Sequence, residues 1–323
     1  MAEGQSGDPF LPLEIVLLVI DRLTAGIDAV ALQPSHRITR TLLALTRCSR
    51  SVNPTATKYL YRHCLFIDSA WRLAALNQTL ASAEDEEDSV RQHIIALYLA
   101  PFQESIDDSG IAFNVHELFR HMGSVLTRLV IDMPLRSLHP EDDVRQIRPL
   151  LRKGFDFLKV IEEFTSARDE LYLSNWPERD HPPFWARWPR LRRLALYNMD
   201  LDPNVDEFWS GIAKLGGLEV LVATRPDGLD ELSCDILRSR ARRPHRLIFV
   251  NLPLSHRYDG RRWDDLLANL AGPYSDMVVF SDESALETYS AEPIDDCQEW
   301  TRDRALSGEL WVGGTPIHRA PRF

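Results

Sequence analysis

Lysine is nearly absent from this chain: Lys58, Lys153, Lys159 and Lys214 stand against 33 arginines in 323 residues. GC-rich coding accounts for such a bias, and scarcity of ubiquitin acceptors is its sharper meaning. Cysteine is scarce as well. Cys48, Cys64, Cys234 and Cys297 are scattered, with no Cys-x-x-Cys pair, which excludes a disulfide framework or a zinc site of the usual spacing. Reduced thiols in an intracellular protein, cytoplasmic or nuclear, are the expectation. No run approaches the roughly 20 apolar residues of a membrane span, and the apolar stretch Ile15–Ile20 has no basic segment before it, so neither an anchor nor a secretory signal is expected. The net charge of −11 removes the positive field that nucleic acid or an anionic membrane would need.

Catalytic signatures are missing too. The chain has no G-x-S-x-G, no H-E-x-x-H and no G-x-x-x-x-G-K-[ST], and no glycine-rich phosphate loop follows any strand-like segment. His116 and His121 are five apart, off a common helix face. Acid pairs such as Asp107-Asp108, Asp142-Asp143 and Asp295-Asp296 fall at loops or helix starts, where the helix dipole favours them. We therefore expect no enzyme, no cofactor and no bound metal.

What is present begins at Leu11. The segment Leu11–Leu23 is helical in pattern and apolar nearly all round, whereas a surface helix needs only one apolar stripe. One stripe can pack on its own module; the other must find a partner. Pro12 suits the first turn, Glu14 the positive end of the dipole, and Gly26 a stop. A second helix is expected from Thr41 to Ser51, and Asn53-Pro54 opens a third that runs to Arg62. Three short helices thus fill residues 8–63. The partner-facing stripe would comprise Leu11, Pro12, Ile15, Leu18 and Val19, extended by Leu42, Leu45 and Cys48, although many of these could instead fill the module's core.

From residue 64 the pattern changes. After a brief strand at Cys64–Ile67 and a helix from Ala70 to Ala81, a hexad of the form L-x-x-L-x-L recurs: Ile94-Leu97-Leu99, Leu126-Leu129-Ile131, Ile161-Phe164-Ser166, Leu191-Leu194-Leu196, Leu218-Leu221-Ala223 and, weaker, Pro244-Leu247-Phe249. Met277–Phe280 reads as a last strand. Helices are expected between them at Val115–Gly123, Asp142–Arg152, Val205–Lys214, Leu229–Ala241 and Trp263–Leu270. Strand and helix in alternation give an α/β chain with a parallel sheet, and repeats of about this length resemble an irregular leucine-rich-repeat solenoid over 64–323. A doubly wound α/β domain is the alternative. Residues between the anchors face the opposite side of the sheet: Tyr98, Arg128, Glu163, Thr165, Arg193, Tyr197 and Thr224 are the candidate substrate-binding residues. The Arg238–Arg246 cluster could add a patch for an acidic or phosphorylated segment. Residues after Ser281 read as a cap over the last repeat with a loose tail.

The N-terminal pieces, in order, resemble an F-box of filamentous fungi: Leu11-Pro12-Leu13-Glu14-Ile15, the Leu18/Leu23 pair, Leu42-Leu43-Ala44-Leu45, Cys48-Ser49-Arg50-Ser51-Val52 and Tyr59-Leu60-Tyr61-Arg62-His63. The segments Ile161–Leu171 and Trp188–Leu194 are similar to the leucine-rich tail of the same proteins. That resemblance implies a substrate receptor of an SCF-type ubiquitin ligase, docked on a Skp-family adaptor and through it on a cullin, with a protein substrate held by the repeat domain. A non-ligase interaction scaffold is the first alternative, and an α/β enzyme with an unrecognised site the second.

Overall fold

The computed structural model describes residues 11–82, 90–173, 183–202, 206–228, 246–250, 277–280, 293–312 and 315–316. The chain opens with three helices, α1 (Leu13–Thr24), α2 (Arg37–Leu45) and α3 (Asn53–His63). Pro12 sits at the N-cap of α1 with Glu14 in its first turn, and Pro54 lies in the first turn of α3, so neither proline removes a bond the helix would have made. Gly26, just beyond α1, has φ +77°, a left-handed conformation that costs glycine nothing. The second helix is shifted from the expected Thr41–Ser51. It starts at Arg37, where the His36 ring accepts from the Ile38 amide. It ends at Leu45, because Ser49 Oγ turns to accept the Val52 amide and Asn53 Nδ2 donates to the Thr46 carbonyl. These local side-chain bonds compete with helix continuation.

Ile20, Leu42, Val52 and Ala56 form a small buried core for α1–α3, flanked by Val16, Leu17, Ile38, Leu45, Tyr59 and Leu60. This core is separate from the two layers that sandwich the sheet.

The sheet has nine strands: β1 (Phe66–Ile67), β2 (Ala96–Leu99), β3 (Arg128–Ile131), β4 (Glu163–Ser166), β5 (Arg193–Tyr197), β6 (Val220–Thr224), β7 (Arg246–Val250), β8 (Met277–Phe280) and β9 (Thr315–Pro316). They lie side by side in chain order; β1 to β8 run parallel and β9 antiparallel to β8. The order never reverses, so this sheet lacks the switch point of a doubly wound domain. The hexad anchors form one continuous register row, Leu97–Leu129–Phe164–Leu194–Leu221–Leu247. The uneven sequence spacing between them is taken up entirely in the returns.

Four helices, α4 (Ala70–Ser82), α5 (Ser109–Met122), α6 (Ile147–Phe155) and α7 (Asp206–Lys214), occupy the returns. They bury their apolar stripes with the anchor side chains in one large core. α5 runs earlier than expected because Asp108 caps it, accepting the Ile111 amide. α6 starts five residues late: Asp143 accepts the Ile147 and Arg148 amides from outside the helix, a capping interaction typically worth ~1 kcal/mol. A Cβ on Gly123 would stand 2.2 Å from the Phe157 carbonyl oxygen, so α5 and the segment after α6 meet here only through glycine. Phe184, Trp185 and Trp188, between Pro183 and Pro189, are buried in the same core; Trp188 meets Phe164 with ring centroids 4.8 Å apart. The expected helices Leu229–Ala241 and Trp263–Leu270 lie outside the described residues.

The second face of the sheet is covered. α8 (Pro293–Ser307) and the 3-10 turn Glu309–Trp311 bring Cys297, Trp300, Ala305, Leu306, Leu310 and Trp311 against Tyr98, Val130, Ala195, Tyr197, Val222, Ile248 and Val250. The C-terminal segment therefore crosses the second face of the sheet and then, through β9, pairs with its last parallel strand. Its polar composition concealed a buried stripe at 297, 300, 301 and 305, with helical spacing.

Candidate interaction surface

α1 carries both stripes. At about 100° per residue, Val16, Ile20 and Thr24 face the module core, with Ile20 and Thr24 buried. On the opposite side Leu11 is 60% exposed, Ile15 45%, Leu18 52% and Val19 47%. Pro12 and Leu13 are exposed beside them. Apolar side chains this exposed, and this regularly placed on one short helix, form a contiguous patch rather than scattered surface leucines.

α2 contributes differently from expectation. Leu42 is fully buried in the module core and is not part of this surface; Leu45 is half-buried against the same core. Leu43, 49% exposed, is the α2 leucine left in solvent. Cys48 is exposed beyond the end of the helix, its thiol donating to the Ala44 carbonyl. Leu42 faces inward because it packs with Ile20, Val52 and Ala56, and at about 100° per residue this leaves Leu43 on the outward side.

Beside the patch, an open depression of about 560 Å³ is lined by Leu18, Asp21, Arg22, Thr24–Ile27, Tyr59, Arg62 and His63. The Tyr59 hydroxyl donates to Asp21 Oδ1, tying α3 to α1, and this bond raises the Tyr59 pKa above its ordinary value. Burial, with Arg62 and Arg128 nearby, holds the His63 pKa below its ordinary value.

The predicted substrate face is assembled but closed. Tyr98, Glu163, Thr165, Tyr197 and Thr224 are all buried beneath the C-terminal segment. Arg128, Glu163 and Arg193 are register neighbours at the strand starts. Arg128 Nε and Arg193 Nη1 each donate to Glu163, both at 3.1 Å. Arg128 also reaches the Asp28 carbonyl at 2.8 Å, so the α1–α2 loop is anchored on this ladder. At the strand ends, the Tyr98 hydroxyl donates to Asp132 Oδ2 at 3.0 Å, and Arg168 pairs with the other Asp132 oxygen. Burial raises the Tyr98 pKa far above normal. Arg225 Nη1 donates to the Tyr197 hydroxyl. In the basic cluster, Arg246 begins β7 and donates to the Trp311 carbonyl; Arg238, Arg240, Arg242 and Arg243 lie outside the described residues.

One acid stands out. Asp169, after β4, is fully enclosed, and desolvation pushes its pKa up to about 7. Its Oδ2 accepts the Leu135 amide, and its Oδ1 accepts Ser166 Oγ and the Leu171 amide. Both oxygens are thus spent on holding loops together, including Leu171 at φ +63°. Nearby Arg148, also fully buried, donates to the Leu135 and Leu138 carbonyls at 2.8 and 2.7 Å. Neither residue was singled out from sequence, where an Asp after a strand and an Arg in a helix carry no distinguishing signal. Among the described residues, no cluster of three His, Cys, Asp or Glu side chains has the geometry to hold a metal, and no helix is long and apolar enough to cross a membrane.

No family profile matches the chain. A segment of 83 residues, 25% of the chain, is 36% identical to a protein described as probable alpha-fucosidase A from Aspergillus oryzae, and the match spans 11% of that protein's length.

Proposed function

We propose that this chain is a substrate receptor of an SCF-type ubiquitin ligase. In this reading α1–α3 are an F-box module that docks on a Skp-family adaptor and through it on a cullin. The sheet with its helical returns is an irregular leucine-rich-repeat-like solenoid that presents a protein substrate. The observation that carries the reading is the second apolar stripe of α1, left in solvent by a helix whose other stripe already fills a complete small core. Its contact residues are Leu11, Pro12, Ile15, Leu18 and Val19, joined by Leu43 and Cys48, with Leu45 at the margin.

Support also comes from the sequential parallel sheet, whose in-register anchors suit a repeat architecture. The receptor itself breaks no bond. It raises the effective concentration of substrate lysines near the charged enzyme. Its own four lysines agree with sparing itself modification. The fucosidase likeness covers too small a part of either chain to bring an activity with it.

The test is co-purification of the full chain with a Skp-family adaptor and a cullin. Stoichiometric capture supports the receptor; adaptor capture without cullin recruitment points to the non-ligase scaffold; no capture by a well-folded chain overturns both.

A further inference from the structure

The covering of the second sheet face is poorly matched to what it covers. α8 buries Asp296 to 5% exposure, yet neither carboxylate oxygen has a hydrogen-bond partner. On the same interface Thr165 Oγ1 and Thr224 Oγ1, both on fully buried residues, are also unpartnered, as is the indole Nε1 of Trp311. A buried polar group left unpaired is destabilising, a charged one more so, and native interiors hold few of them. Five such atoms gathered at one interface offset much of what Cys297, Trp300, Leu306, Leu310 and Trp311 contribute. On the other face α5 buries Ala112, Val115, Leu118, Phe119 and Met122 with the anchor row, and the unpartnered atoms there are Asn77 Oδ1 and the Trp188 indole Nε1, neither of them a charged group.

The remaining polar groups of this face favour one kind of ligand. The Thr165 and Thr224 hydroxyls can donate, and Arg225 keeps its Nε without an acceptor. α8 brings an acid and, one turn on, the Trp300 indole to this surface.

We propose that this sheet face is the substrate-binding surface, that α8 with Glu309–Trp311 is an intramolecular occupant of it, and that a substrate displaces this occupant with a helical segment carrying an aromatic residue and carboxylates that the hydroxyls and Arg225 can meet. Helix-in-groove docking of this kind reads an amphipathic face through a few anchors. The proposal rests on the receptor reading for the identity of the ligand, but its test does not involve the adaptor.

Two measurements on the full chain test it. In hydrogen exchange, a displaceable occupant opens without the sheet, so the amides of α8 exchange at least ~100-fold faster than those of β3–β6. Exchange of both at one rate makes α8 part of the permanent core and overturns the proposal. The second uses a labelled synthetic peptide of residues 293–312. Trp300→Ser, which unseats the native helix, should bind the peptide at least ~10-fold more tightly than the wild type, whose face is filled. A Trp300→Ser chain that fails to fold, or that folds and ignores the peptide, overturns it. Adaptor capture retained alongside either failure leaves the receptor reading standing; loss of adaptor capture alone leaves the occupied face standing.

Discussion

The amide of Val30, in the loop joining α1 to α2, donates to the carbonyl of Leu306 at the end of α8, 2.8 Å away. Residues at opposite ends of the chain thus meet on the second face of the sheet. The neighbouring Leu32 amide donates to the His63 carbonyl, and Asp28 pairs with Arg128 at the start of β3. The long loop between α1 and α2 fixes the N-terminal module against the sheet. For a receptor, that fixes the direction in which the substrate face points from the adaptor.

Arg128 is the hub of this junction, and Arg128→Gln removes its charged bonds to Glu163 and Asp28. Charged hydrogen bonds in partly buried sites contribute ~1.5–3 kcal/mol. We expect a loss of that order in urea unfolding, with faster amide exchange at Val30 and Leu32. Unchanged exchange there would mean the loop is held by other contacts.

Leu42 and Leu43 are adjacent in sequence and opposite in environment. Leu42→Ala should destabilise the module by ~2–5 kcal/mol, whereas Leu43→Ala should change thermal stability by no more than ~0.5 kcal/mol. Equal effects would contradict the assigned rotation of α2.

Asp169 gives a pH signature. Its folded pKa of about 7 lies above the unfolded value of 3.8, so the folded state holds the proton more tightly. That stability is fully present below about pH 4 and is lost as the pH rises through 7. Asp169→Asn removes the titration. The stability difference, wild type minus variant, should therefore fall by ~2 kcal/mol between pH 5 and 7.5, measured by denaturant unfolding at each pH. A difference that stays flat or grows would show that Asp169 is ionised throughout.

Much of the sheet was legible because an apolar anchor repeated at strand spacing leaves a strong mark: the positions 97, 129, 164, 194, 221 and 247 became one row without adjustment. Helix ends were less legible, since Ser49, Asn53, Asp108 and Asp143 set them through side-chain bonds that periodicity does not report. The α1 stripe could be read because two apolar stripes on twelve residues exceed what one core can use. The placement of α8 could not. Its few apolar residues are diluted by Asp295, Asp296, Glu299, Arg302, Asp303 and Arg304, and nothing local says which surface it covers. The candidate residues Tyr98, Glu163, Tyr197 and Thr224 share one face of the sheet, yet the segment packed on that face is remote from all of them in sequence.

The central claim concerns the exposed face of α1, and the affinity of the full chain for a purified Skp-family adaptor, by calorimetry, tests it most directly. Ile15→Asp with Val19→Asp changes solvent-exposed positions, so the variant should unfold at the wild-type temperature. We predict that the wild type binds one adaptor per chain and that this variant binds at least ~100-fold more weakly. Equal affinity in the two proteins, or no binding by a folded wild type, would contradict the account.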